Sequence, residues 1–201
     1  MERKKEEEAI VLDFLQHGYP FDKRPMHVKT PIVQAVGKNS FTLLELVPRK
    51  GVFLQPYEEV YIGEGKREKI HHINGKIPVK KLTETAKAEL KHVVEEVVNR
   101  DEQRFIDFFN KAQPVSTRMH VLELLPGVGK KHMIEIINER RAEPFKDFED
   151  MKKRVKLMPD PRTTIVKRIL SELEAKEKHY LFTERPSTSN TESHKDNHPR
   201  R

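Results

Sequence analysis

Leu124-Leu125-Pro126-Gly127-Val128-Gly129-Lys130-Lys131 separates two runs of helical periodicity. Before it, Thr117 to Leu125 carries Val121, Leu122, Leu124 and Leu125; after it, Met133, Ile134 and Ile137 recur at helical spacing. The spacing predicts a tight hairpin joining two helices. Pro126 cannot continue the first helix, and Gly127 and Gly129 permit positive φ or close backbone approach. A helix that starts directly after the glycines leaves its first amides without intrahelical acceptors and turns the positive end of its dipole outward, an arrangement suited to phosphate. Gly127, Val128 and Gly129 are the expected backbone donors, and Lys130 and Lys131 add mobile positive charge.

The run from Leu125 to Lys131 resembles the hairpin of the helix-hairpin-helix family, which grips nucleic-acid backbone phosphates without reading sequence. One departure is Met133, which stands where that family usually has a small residue; it predicts splayed helices or a shifted hairpin. A second helix-turn-helix pattern follows. Arg140-Arg141-Ala142-Glu143-Pro144 ends one helix, Met151 and Val155 mark the next, and Leu157-Met158-Pro159-Asp160-Pro161-Arg162 forms a turn. Ile165, Val166, Ile169, Leu170 and Leu173 then line one face of a last helix. The resemblance implies a tandem pair of hairpins. The second turn has lost both glycines, so its candidate phosphate contacts are charges: Arg162, Lys167 and Arg168. From Gln113 to Phe182 there are 15 Lys and Arg against 11 Asp and Glu, basic without being extreme.

Upstream, Ile10, Val11, Phe14 and Leu15 at helical spacing before Gly18-Tyr19-Pro20 predict a short amphipathic helix. The period then changes. Thr30 to Val36 and Phe41 to Val47 read as strands around the turn Gly37-Lys38-Asn39-Ser40, Val52 to Leu54 as a flanking strand, and Glu59 to Ile62 as another. Lys69 to Ile73 and Lys76 to Val79 flank Asn74-Gly75, the sequence of a two-residue hairpin turn. Five or so short strands predict a small curled barrel resembling the oligonucleotide-binding fold. Tyr57, Tyr61, Arg67, Lys69, His71, His72 and Lys76 are its candidate strand contacts, rings and cations that stack on bases and meet phosphates; the plain alternative is that the tyrosines pack and the cations are loop charges. Successive strand residues point to opposite faces, so His71-His72 predicts one packed and one exposed ring and no shared metal. From Thr83, a good N-cap, a stripe of Ala86, Leu90, Val93, Val94, Val97 and Val98 predicts a helix, and Phe105 to Ala112 another.

The net charge of +7 over 201 residues, with a pI near 9.4, favours a polyanionic partner. The absence of cysteine excludes disulfides, thiolate metal sites and a cysteine nucleophile. No metal-ligand spacing, phosphate-binding loop of the nucleotidase type, nucleophile elbow or carboxylate cluster is present, so neither cofactor nor metal is expected. No apolar run reaches the length of a membrane span and the charged start has no signal-peptide core, which predicts a cytoplasmic protein without a membrane partner. Thr183 to Arg201 is nearly devoid of apolar residues and predicts a disordered tail.

Taken from about Glu8 to Phe182, the chain resembles an archaeal family known as domain of unknown function 655, carried by Val60-Tyr61-Ile62-Gly63, the helical linker and the Leu125 to Lys131 hairpin. That resemblance implies a nucleotide- or RNA-binding protein with a barrel resembling the oligonucleotide-binding fold and a helix-hairpin-helix module. The expectation is thus an α+β chain: a helix and small β-barrel over 1–82, a helical linker over 83–112, a tandem helix-hairpin-helix domain over 113–182 and a tail over 183–201. Its expected role is non-catalytic binding of nucleic acid, RNA slightly ahead of DNA. Two other readings stand beside it. One is an adaptor whose basic module docks an acidic protein. The other follows a resemblance to base-excision glycosylases, which places Lys131 at their lysine position and Asp147, Glu149 and Asp150 near their carboxylate; such a lysine needs a desolvated pocket.

Overall fold

The protein is described by a computed structural model covering residues 5–25 and 28–185. Strands β1 (Glu8–Leu15), β2 (Ile32–Gly37), β3 (Leu43–Pro48), β4 (Glu59–Tyr61) and β5 (Ile70–Lys76) form one antiparallel sheet in the order β4-β1-β2-β3-β5. In a flat sheet the outer strands would lie about 19 Å apart, four strand spacings. Val60 of β4 and Ile70 of β5 nevertheless share one buried cluster with Val11, Val33 and Leu44. The sheet is therefore curled into a half-barrel around that cluster.

β1 replaces the predicted N-terminal helix. Ala9, Ile10, Val11 and Leu12 are all buried, because β1 pairs with β2 on one side and β4 on the other and is covered on both faces. Ala9 and Val11 face the half-barrel interior, and Ile10 and Leu12 join the helical core. A strand with two buried faces loses period-two alternation, and the remaining apolar residues then mimic helical spacing. The predicted Asn74-Gly75 hairpin is also absent. β5 runs through it, and since Glu45 pairs with Gly75 while Leu46 pairs with Ile73, Asn74 is the extra residue of a bulge. Gly75 has φ of +148°, open only to glycine. Val52 to Leu54 is loop, with Leu54 turned into the half-barrel.

Beyond the sheet come α1 (Glu84–Arg100) and α2 (Glu102–Lys111). Thr83 caps α1 as its sequence suggests, its hydroxyl accepting from Ala86 N–H at 3.0 Å and donating to Asp13 Oδ2 at 2.6 Å. Buried Gln34 Oε1 accepts from Thr83 N–H, which fixes the start of α1 to the sheet. Thr117 to Leu125 does not form the predicted α-helix. Pro114–Ser116 (β6) and Met119–His120 (β7) make a short ribbon, and Val121–Leu124 closes a single 3-10 turn. α3 (Lys130–Ala142), α4 (Phe148–Arg154) and α5 (Pro161–Leu173) complete the fold. α1 packs against both β1 and α5, so one core extends from Ile10 and Val36 through Val94 and Phe105 to Ile165 and Ile169. The expected boundaries at 82/83 and 112/113 mark changes of element type within that continuous core.

Candidate nucleic-acid interface

Leu125 and Val128 are 2 % and 4 % exposed and anchor the turn before α3 to the core, while Gly127 between them is exposed. Val128 N–H donates to Leu125 O at 3.1 Å. Gly127 takes φ of +79°, and a Cβ built there would lie 2.8 Å from Pro159 Cγ in the turn between α4 and α5. The two turns are thus in contact, and Gly127 is needed for that contact as well as for its φ. Gly129 is different: it is the N-cap of α3 in extended conformation, and nothing lies within 4 Å of where its Cβ would be.

The first bond of α3 runs from Met133 N–H to Gly129 O at 3.0 Å. Among the described residues, the amides of Gly129, Lys130, Lys131 and His132 have no acceptor. Glycine at the N-cap supplies no side-chain acceptor for them, and Gly129, Lys130 and Lys131 are exposed residues. Lys130 and Lys131 are exposed and form no ion pair among the described residues. Met133 does not dislodge the turn; it is half-buried against the core.

The second turn joins α4 to α5. Asp160 caps α5, accepting from Thr163 N–H at 2.8 Å. Its carboxylate occupies the position that Gly129 leaves open, and Leu157, 89 % exposed, takes φ of +59°. Of the cations expected here, Lys167 is exposed and Arg162 half-buried, its guanidinium carbon 5.5 Å from the Phe148 ring centroid and its Nε without a partner. Arg168 is not a phosphate contact. It is 2 % exposed, pairs with buried Glu172 at 2.8 Å and with Glu177, and donates to Leu124 O at 2.8 Å and to His179 O. Helical periodicity put Arg168 beside Ile169 and Leu170, and it is drawn inward because Glu172, one turn later, neutralises it.

Glu172 also accepts the N–H groups of Leu181, Phe182 and Thr183 at 2.8, 3.0 and 2.9 Å. The chain is therefore held past the predicted start of the tail at Thr183, and Glu184 pairs with Lys76 on β5. Residues 186–201 of that tail lie outside the described residues.

Of the predicted barrel contacts, Arg67 is half-buried and the other six are exposed, and several are engaged within the fold. Tyr57 donates to Glu89 on α1, Tyr61 lies over Gly63 and Gly65, Arg67 donates to Gly63 O at 2.8 Å, and Lys69 pairs with Glu58 at 2.5 Å. Tyr57 thus ties the loop before β4 to α1, and the other three brace the segment between Glu58 and Lys69 against itself. His71 and His72 are both exposed, correcting the expectation of one packed ring, and their Nδ1 atoms are 2.7 Å apart. A second register shift, with Val47 opposite His72 and Pro48 opposite Ile70, makes His71 the extra residue of its own bulge, and there neighbouring side chains meet where an ideal strand would part them. His72 Nε2 meets Asn74 Oδ1 at 2.9 Å, Asn74 donates to Glu45, and Tyr19 donates to Glu45 at 2.6 Å.

Lys131, the lysine of the glycosylase resemblance, is exposed, and the three carboxylates are engaged elsewhere: Asp147 caps α4, Glu149 pairs with Lys152 and Asp150 with Arg154. Sequence reasoning missed His120. It is 6 % exposed, its Nδ1 accepts from Leu122 N–H at 3.1 Å, and its own N–H donates to Glu123 Oε2 at 2.9 Å. His-x-x-Glu stands here for the usual Ser/Thr-x-x-Glu capping box, a signal present in the sequence in an unfamiliar residue. Burial and the nearby Arg140 guanidinium lower its pKa.

No helix among the described residues is long and apolar enough to cross a membrane, and none of their His, Asp and Glu residues form a cluster of three suited to a metal. The chain is 46 % identical over 182 residues to the uncharacterized protein MJ0038 of Methanocaldococcus jannaschii, covering 90 % of this chain and 81 % of that one. It superposes on the crystal structure of Af1531 from Archaeoglobus fulgidus with a TM-score of 0.82 at 46 % identity, covering 89 % of this chain and 100 % of that one. A family model described as "protein of unknown function (DUF655)" matches residues 5–184. The chain belongs to this DUF655 family.

Proposed function

We propose that the protein is a non-catalytic nucleic-acid-binding protein, RNA slightly favoured over DNA, whose helix-hairpin-helix turn grips backbone phosphate. The observation that carries this reading is the row of amides at Gly129, Lys130 and Lys131 that have no acceptor among the described residues, beside a Gly129 whose Cβ position is empty to 4 Å. A phosphate oxygen supplies the missing acceptors, the α3 dipole favours its charge, and the two free lysines surround it. Lys153, Lys156 and Lys167 on the neighbouring helix pair are likewise exposed and free of ion pairs among the described residues, and they extend the positive surface. Phosphate recognition of this kind is indifferent to base sequence. The half-barrel, resembling part of an oligonucleotide-binding fold, serves as the frame against which α1 sets the hairpin module.

The amides themselves provide the test. In a titration of the labelled protein with a single-stranded RNA, amide resonances of Gly129, Lys130 and Lys131 should shift first and furthest, and those of Asp160, Arg162 and Thr163 at the capped second turn should not. Binding that leaves the Gly129 to Lys131 amides unmoved would overturn the proposal.

A further inference from the structure

Beside the hairpin lies a groove of 490 Å³ between the β6-β7 ribbon and the start of α3. Pro114, Met119 and Met133 give it apolar walls, Arg118 and Lys130 line it with cations, and His120 lines it although only 6 % exposed. Arg118 is exposed and free of ion pairs among the described residues. His120 Nδ1 is occupied as an acceptor by Leu122 N–H, so the neutral ring carries its proton on Nε2. That Nε2–H has no acceptor among the described residues, yet it is not sealed from solvent: Arg162 Nε is the buried, unpartnered side-chain atom they contain. A nearly buried ring therefore keeps a free donor at a groove that Lys130 shares with the phosphate site. Glu123, with Oε2 taken by His120 N–H, adds a carboxylate acceptor to the same lining.

We infer that this groove receives an unpaired nucleobase whose neighbouring phosphate sits on the hairpin amides. The inference rests on the phosphate reading above and extends it to the form of the ligand. Apolar walls suit a flat heterocycle, and a donor and an acceptor within one groove complement the hydrogen-bonding edge of a base, which a duplex keeps occupied. The volume lies in the range of sites for small organic groups. Arg118 on the ribbon turn and Lys130 on α3 place a cation on each side, where a strand entering and leaving carries its phosphates. An intact duplex cannot offer a base here without paying to unstack it. The protein consequently prefers single strands and unpaired loops over intact duplex.

The test uses the full chain, a single-stranded RNA, the same RNA with every base removed, and an RNA duplex of equal length. Two variants alter the groove and spare the fold. His120→Asn retains an oxygen to accept Leu122 N–H and loses Nε2–H; Ser116→Trp places a ring in the groove from an exposed position. Lys130→Glu/Lys131→Glu reports on the hairpin. The expected result is that each groove variant loses about tenfold in affinity for the single strand. Neither changes on the abasic strand or the duplex, and the lysine variant loses affinity for all three. If the lysine variant loses binding while both groove variants match wild type on the single strand, the groove is empty in the complex and the inference falls alone. If the lysine variant binds as wild type does, or wild type binds none of the three, the phosphate reading falls and takes the groove with it.

Discussion

Gly127 and Gly129, two residues apart in one turn, should respond oppositely to the same methyl group. At Gly127 the φ of +79° costs an L-residue about 1–2 kcal/mol. The new Cβ would also stand 2.8 Å from Pro159 Cγ, a ring with little freedom to withdraw, and relieving that overlap costs about 1–3 kcal/mol. Gly127→Ala should therefore destabilise the fold by about 2–5 kcal/mol, seen as a fall of roughly 5–15 °C in Tm for a chain of this size. At Gly129 the backbone is extended (φ −89°, ψ −179°) and the space is open. Alanine there gains about 0.4–1 kcal/mol from the unfolded chain and loses a similar amount of N-cap preference, leaving stability within about 0.5 kcal/mol of wild type. Urea denaturation of both variants, with unchanged m-values, is the assay. Equal destabilisation by the two alanines, or a Gly127→Ala variant as stable as wild type, would refute this division of roles.

Four further outcomes follow from particular contacts. Arg168→Met leaves Glu172 buried without its partner and frees Leu124 O, and should cost about 3–5 kcal/mol, whereas Lys167→Met on the same helix should stay within about 0.5 kcal/mol; chemical denaturation compares them. Leu157→Gly removes a left-handed L-residue with an exposed side chain and should leave the fold as stable or more stable by up to about 1 kcal/mol. Tyr19 is pushed up to about 12 by burial and by its hydrogen bond to Glu45. The stability its neutral phenol contributes is complete below the ordinary value of 10.0 and is lost as pH rises through 12; Tyr57 is also raised, by its hydrogen bond to Glu89, so ultraviolet titration should show late tyrosine ionisation that Tyr19→Phe reduces and does not abolish. The lowered pKa of His120 has the opposite sense: its contribution is complete above the ordinary value of 6.5 and falls away at lower pH, as the ring takes a proton less readily folded than unfolded. Histidine NMR titration should find His120 among the last rings to protonate, and His120→Asn should flatten the pH dependence of stability there.

Helix α1 was the most legible element of the fold. The stripe from Ala86 to Val98 and the Thr83 cap lie on one amphipathic face, and each appears as the sequence describes. Of the predicted helix-turn-helix around Leu125 to Lys131, the turn and the start of α3 were legible, because Pro126 and Gly127 restrict the backbone by their own geometry, whereas the helix expected over Thr117 to Leu125 is a short ribbon and a 3-10 turn. β1 was misread because Ala9 to Leu12 is buried on both faces, a condition set by strands β2 and β4 that lie far along the chain. Asn74-Gly75 was misread because the same φ freedom serves a hairpin turn and a bulge, and only pairing with Glu45 and Leu46 decides between them. Arg168 looked like any helix cation; its burial depends on Glu172, on Leu124 O and on a C-terminal segment that folds back over α5. Of the candidate contacts, Lys130 and Lys131 have no ion-pair partner among the described residues, whereas Tyr57 is held by Glu89, 32 residues away, Lys69 by Glu58 and Arg67 by the nearby Gly63 O.

The most direct measurement of the central proposal is the salt dependence of binding to single-stranded RNA, duplex DNA and branched DNA of equal length, for wild type beside Lys130→Glu/Lys131→Glu. Wild type should bind at least one of these with a steep fall of log affinity against log salt. The variant should bind more weakly and lose about 1 to 2 from that slope, the equivalent of one or two phosphate contacts. An unchanged affinity and slope in the folded variant would show that nucleic acid, if bound at all, is held elsewhere than at this hairpin.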